Sequence, residues 1–264
     1  VGLSPHAPYS VHPELLEEVV RLSAAERIPI AMHLAESREE IELLHSGSGR
    51  FVDFLGRFGA WEPDNFPPGG RPLDYLHRLA DAHRALVVHG NYLDDEEIAF
   101  LAERSQRMAV VDCPRTHAYF QHAKHALPKL LAAGATVALG TDGMSSAMLR
   151  SLRFAFLMQR AGREDPTAGF AAHPKLLANN AAVARRFFDE PLIGSLVPGA
   201  PADICVVDCP PPTPMTSENW FGHLVYGASE SPVRHTIARG EFLLEDFHNR
   251  TLDVQALAEL ARRE

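Results

Sequence analysis

The chain has 264 residues and an apolar fraction of 46%, enough to fill the core of one large domain or of one domain with a small appendage. A formal net charge of −9 with no Lys/Arg run argues against a nucleic-acid or anionic-membrane partner and leaves a small molecule as the expected one. Three cysteines (Cys113, Cys205, Cys209) are too few for a disulfide framework, and no window approaches the roughly 18 apolar residues that span a bilayer, so the expected compartment is the cytoplasm. In chain order, residues 1–4 are apolar and strand-like, so the sequence opens inside an element and reads as continuing upstream. Residues 12–27 carry Leu15, Leu16, Val19, Val20 and Leu22 at helical spacing. Residues 28–34 (IPIAMHL) read as a buried strand. Ser37, with Glu40 three residues on, makes a capping box that starts the next helix and pins Glu36 to the junction. Residues 46–72 are rich in Gly, Pro and aromatics and exceed the usual loop after a barrel strand, which predicts an ordered insertion over the site. Residues 85–89, 108–113 and 136–140 are further strands. Asp94 and Glu97 cap a helix over 95–105, Gly134 closes one over 126–133, and two more lie near 147–161 and 174–188. Beyond Pro191, short strands at 203–208 and 233–238 alternate with Gly/Pro turns before a polar closing helix.

Strand–helix units in series predict an α/β fold around a parallel sheet. Five units where a TIM-type (β/α)8 barrel needs eight predict the C-terminal portion of such a barrel over residues 1–190, followed by a small β segment and helix over 191–264. The strands at 1–4 and 136–140 are then expected to leave unpaired backbone edges. The alternative, an open doubly wound sheet of the nucleotide-binding kind, has no Gly-rich phosphate loop to support it.

His6, His33, His89 and Asp142 each fall at or just past the C-terminal end of a predicted strand, the face on which such barrels carry their catalytic groups. Imidazoles and a carboxylate converging on one rim are what zinc or iron coordination requires. Each residue also has a plainer explanation. Glu36 can be only the residue before a helix cap, His6 a loop histidine braced by two prolines, and Thr141-Asp142-Gly143 a turn. Asp94, Asp95, Glu96 and Glu97 read as a solvated helix start. His117, His122 and His125 crowd one loop, with nothing in the pattern to make them converge on a second metal. Cys113 reads as a packed barrel residue, since nothing basic beside it activates the thiol.

Pro5-His6-Ala7-Pro8-Tyr9, His33-Leu34-Ala35-Glu36, the run from Val88-His89-Gly90 to Glu97-Ile98, Asp112-Cys113-Pro114 and Leu139-Gly140-Thr141-Asp142-Gly143 occur in an order that resembles the amidohydrolase superfamily. The nearest branch is that of the cytosine, guanine and S-adenosylhomocysteine deaminases and the triazine chlorohydrolases. The segment from Gly194 to Ile204 resembles that branch's return into a flanking β-sandwich. The resemblance implies His33 and Asp142 as ligands of one divalent metal, zinc first and iron as the alternative, with His89 a further ligand in dinuclear relatives. It implies Glu36, His89 and Asp142 as catalytic residues: Glu36 protonates a ring nitrogen, His89 polarises the attacking water, and Asp142 takes the water proton. His6 resembles a substrate-contact position. The branch takes two more ligands from a His-x-His pair, which is absent here, so these residues alone are expected to be inactive. The implied reaction is hydrolytic deamination of an amino-substituted N-heterocycle. Displacement of ring chloride, or a metal-free structural barrel subunit, are the alternatives, and a homo-oligomer stays open.

Overall fold

A computed structural model describes residues 1–123, 125–161, 164–165 and 167–262. It resolves into two compact units, Val1–Val183 and Ala184–Glu264, which divide inside a helix ahead of the boundary expected near 190.

The first unit alternates helices and strands. Helix α1 (Pro13–Glu26) starts with proline at its first position and a His12 side chain accepting from the Glu14 amide. Strand β1 (Ile30–Leu34), α2 (Arg38–Ser46), α3 (Arg50–Arg57) and α4 (Pro72–Ala80) follow, then β2 (Ala85–His89), α5 (Asp95–Glu103) and β3 (Met108–Asp112). Next come α6 (Pro114–Tyr119), α7 (Leu127–Ala133), β4 (Val137–Leu139), α8 (Met148–Arg160) and α9 (His173–Phe187). The four strands form one parallel sheet in the order β1-β2-β3-β4. Ile30, Met32 and Leu34 alternate with more open residues along β1, as Ala85 and Val87 do along β2, so one face of the sheet is sealed. Helix α4 packs on β1, and α7 and α8 pack on β4. Each fully buried Leu, Ile or Met side chain among these stabilises the unit by about 1.5–3 kcal/mol.

Three expectations need correction here. Residues 1–4 do not form a strand. Only Leu3 joins the sheet, as a single parallel bridge to Ile30, because Pro5 has no N–H with which to extend the ladder. The outer edge of β4 is not left bare: Asn180 accepts from the Leu139 amide at 2.7 Å and donates to its carbonyl at 3.0 Å, and Asn179 donates to the Val137 carbonyl at 2.8 Å. No correction arises for the 46–72 segment, which is ordered: it contains helix α3 and a 3-10 turn at Pro63–Asn65, and is tied back by Gly69 N–H to the His45 carbonyl at 2.7 Å. Glu97 is buried rather than solvated, accepting from the Asp94 amide at 2.8 Å and the Leu73 amide at 3.1 Å.

The second unit holds an antiparallel sheet of β5 (Ile204–Val207), β6 (Val233–Ala238), β7 (Glu241–Glu245) and β8 (His248–Asn249), with helices α10 (Trp220–Tyr226) and α11 (Val254–Ala261). The hairpins β6–β7 and β7–β8 turn on Arg239-Gly240 and Asp246-Phe247, two-residue loops with positive φ at every position. Neither pair is the Asn-Gly signal that betrays such a turn in sequence. The closing helix is not polar, since Val254, Leu257 and Leu260 are exposed along it. No helix among the described residues is long and apolar enough to cross a membrane.

Candidate functional site

The candidate residues meet at the C-terminal ends of the parallel strands. His33 is the fourth residue of β1 and His89 the last of β2, while Asp142 sits in a short 3-10 turn just past β4. In the parallel register His33 pairs with Val88, and His89 pairs with Leu34. Strict alternation would therefore aim the two imidazoles at opposite faces. His89 instead has φ +72°, which breaks the alternation and brings its ring centroid to 5.3 Å from that of His33. Gly90 follows at φ +62°, a left-handed position that a side chain takes only under strain, and a Cβ there would press on the tip of Leu93 at 2.9 Å.

Ala35 (φ +54°) and Asp142 (φ +50°) are also left-handed, so three non-glycine residues in this conformation lie in or beside the site. Each costs about 1–3 kcal/mol, a strain that persists only where the surroundings over-determine it. Close approach adds a further demand at Gly140, where a Cβ would lie 2.7 Å from both Cys113 Sγ and Val111 Cγ1.

His89 Nε2 lies 3.6 Å from Glu36 Oε1 and 3.9 Å from Asp142 Oδ2. His33 Nδ1 is 2.8 Å from the His6 carbonyl, which accepts its proton and leaves Nε2 as the ring's lone-pair nitrogen. The His6 ring stands 5.0 Å from that of His33, with Nδ1 2.6 Å from Ser10 Oγ and Tyr9 edge-on at 5.7 Å. Tyr9 in turn stacks on Phe51 of α3 at 4.1 Å, so the insertion reaches the neighbourhood of His6.

Burial draws the His89 imidazole down to about 4, helped by His33 and opposed by Asp142. Burial likewise raises the Glu36 carboxyl, which His33 pulls back and Asp142 pushes further. For Asp142 burial pushes up, but the Gly143 amide, the Thr116 hydroxyl and the two imidazoles outweigh it and hold the carboxyl below its ordinary range. Burial and His33 lower His6.

Among the described residues, one group of three offers ligand atoms within 4.8 Å of one another: His89, Cys113 and Asp142. Burial, then the charges of Asp112, Asp142 and Glu36, push the Cys113 thiol far up, which disfavours the thiolate a metal needs. His33 lies outside that group of three, but its oriented nitrogen, with His89 and Asp142, offers nitrogen and oxygen donors of the kinds that zinc and iron take.

His117, His122 and His125 come together, with the His117 ring centroid 5.5 and 4.7 Å from the other two; His117 and His125 hydrogen-bond residues outside the trio, whereas His122 Nε2 is buried with no hydrogen-bond partner among the described residues. His125 Nε2 is 3.0 Å from Asp112 Oδ1, and His117 Nδ1 is 3.2 Å from Asn91 Oδ1. Asn91 falls within the run from Val88 to Ile98 that carries the family resemblance, but no role attaches to it there. It is a buried polar residue two positions past a strand-end histidine, and that placement is its one signal. Tyr9 closes the Pro5–Tyr9 motif without a role of its own, and Phe51 is legible in sequence only as an aromatic of the 46–72 segment.

Residues 1–243 match the model of the amidohydrolase family. The chain is 31% identical over 267 residues to a 5-methylthioadenosine/S-adenosylhomocysteine deaminase of Syntrophobacter fumaroxidans, covering 99% of this chain and 56% of that protein. It is 34% identical over 251 residues to a 5'-deoxyadenosine deaminase of Methanoregula boonei, covering 92% and 50%. The crystal structure of an adenosine deaminase from Xanthomonas campestris with bound zinc superposes with a TM-score of 0.74 at 27% identity, covering 99% of this chain and 56% of that one. The chain thus spans about half the length of the curated relatives it matches.

Proposed function

Because the chain belongs to the amidohydrolase family, we propose that it carries the Glu36, His89 and Asp142 part of a metal-dependent aminohydrolase that releases ammonia from an adenosine-like nucleoside. The observation that carries this reading is the convergence of His33, Glu36, His89 and Asp142 on one rim, with His89 turned onto it by a strained backbone. In this reading residues 1–190 are about five of the eight units of a TIM-type barrel and residues 191–264 part of a flanking β-sandwich.

His33 and Asp142, with His89 beside them, would hold a divalent metal. Zinc is the first candidate, because the Xanthomonas campestris relative carries it. Such a metal supplies an activated water nucleophile at neutral pH. Asp142 accepts the proton that this water gives up, being at once an acceptor and a hard ligand. Glu36 donates a proton to the ring nitrogen, which makes the amine-bearing carbon the better electrophile. His89, held neutral by burial, orients the attacking water between the two carboxylates. His6 contacts the substrate beyond His33.

The test is ammonia release from 5'-methylthioadenosine, S-adenosylhomocysteine and 5'-deoxyadenosine by the intact gene product, with bound metal measured on the same sample. Turnover of one of the three with stoichiometric metal supports the reading. Metal-free protein, or chloride release from a chlorotriazine with no deamination, overturns it.

A further inference from the structure

We propose that Glu40 and Asn91 form a clamp that positions Glu36, with His117 bracing the Asn91 side chain. The proposal rests on the role given to Glu36 above and adds the residues through which that role is set.

The segment Leu34-Ala35-Glu36 leaves β1 through a left-handed residue, Ala35 at φ +54°, and no intrinsic preference holds it there. Its backbone groups are instead taken one by one. The buried Glu40 carboxylate accepts from the Ala35 amide through Oε1 at 2.7 Å and from the Glu36 amide through Oε2 at 2.8 Å. The loop after β2 takes the carbonyls. Gly90 N–H donates to Leu34 at 3.0 Å, Tyr92 N–H to Ala35 at 3.0 Å, and Asn91 Nδ2 to Glu36 at 3.0 Å. Glu36 is thereby held at its amide by one side chain and at its carbonyl by another.

The Asn91 amide can play this part only with its nitrogen toward Glu36 and its oxygen away. The Glu36 carbonyl can only accept, so it draws Nδ2 toward itself and turns Oδ1 to His117, whose Nδ1 at 3.2 Å then donates as the Nδ1–H tautomer and braces the amide. Asn91 and His117 are both buried, so water does not compete for the pair. The chain from α6 through Asn91 to Glu36 also links the ends of three successive strands. Its effect is to keep the Glu36 carboxyl beside His89, where their 3.6 Å separation lies. A displacement of about 1 Å in such a group can cost on the order of a hundredfold in rate.

The experiment is a double-mutant cycle in the intact gene product, with kcat, KM and bound metal measured for each variant on the best of the three nucleosides. Glu36→Gln is the reference variant, and ordinary turnover there overturns the role of Glu36 and the clamp with it. If Glu36→Gln is impaired, Asn91→Ala is expected to lower kcat by about 10–100-fold while KM and metal content stay within about twofold. In the Glu36→Gln background the same substitution is expected to add nothing, since the clamp acts only through the carboxylate already removed. His117→Ala removes the contact that braces the Asn91 amide and is expected to lower kcat severalfold, again without additional loss in Glu36→Gln. This second arm serves should Asn91→Ala fold poorly. Equal losses in both backgrounds mean a merely structural role and overturn the clamp, as does unchanged turnover of both clamp variants.

Discussion

Replacing Glu36 by glutamine separates chemistry from architecture at this site. The backbone of Glu36 is held by Glu40 and Asn91, and neither contact involves the Glu36 side chain, so the substituted amide inherits the same frame. Burial raises the native carboxyl, which means that ionised Glu36 weighs on the fold at neutral pH. Neutralising it should leave the melting temperature unchanged or slightly raised. His33, His89 and Asp142 are untouched, so bound metal should stay near normal. Turnover should nevertheless fall by roughly two to four orders of magnitude, about 2.7–5.4 kcal/mol in the barrier, because an amide cannot give up a proton to the ring nitrogen. Steady-state ammonia release, metal analysis and a thermal melt on one preparation check all three expectations. Ordinary turnover would remove Glu36 from the chemistry, and loss of metal would show that it acts as a ligand instead.

Three further outcomes follow from the same geometry. Asp142→Ala should lose bound metal and turnover together, whereas chelation of the native protein should abolish turnover reversibly; an Asp142→Ala variant that keeps its metal refutes the ligand assignment. Gly90→Ala forces a side chain into a left-handed position 2.9 Å from Leu93 Cδ1 and should destabilise the fold by about 1–3 kcal/mol in chemical denaturation. The buried His117 is drawn down to about 4 by burial and then by His125, so the folded state keeps it neutral while an unfolded chain takes up a proton near 6.5. Its contribution is therefore complete above about pH 6.5 and lost as pH falls toward 4, with a slope of up to about 1.4 kcal/mol per pH unit. His117→Asn should flatten the stability profile across that window, and parallel profiles for the two proteins would refute the assignment.

Much of this architecture was legible in residue order alone. Apolar runs at 28–34, 85–89, 108–113 and 136–140 mark strands, since a strand sealed by helices must be apolar to be buried. Ser37 with Glu40 and Asp94 with Glu97 mark helix starts, because side-chain oxygens there satisfy amides that have no partner in the helix. His33, His89 and Asp142 stand out because polar groups at strand ends are the exception to that pattern. What the order of residues cannot carry is direction and company. Alternation along β2 places His89 on the wrong face for a shared site with His33, and only a left-handed backbone, stabilised by contacts from other loops, turns it inward. Glu40 reads locally as a cap, yet its burial and its two amide contacts make it a support for Glu36. Asn91 and His117 are 26 positions apart, and their hydrogen bond exists because parallel strands lay successive loops side by side. Periodicity reports which residues are buried; which of the buried polar ones find each other is decided by the packing of segments distant in the chain.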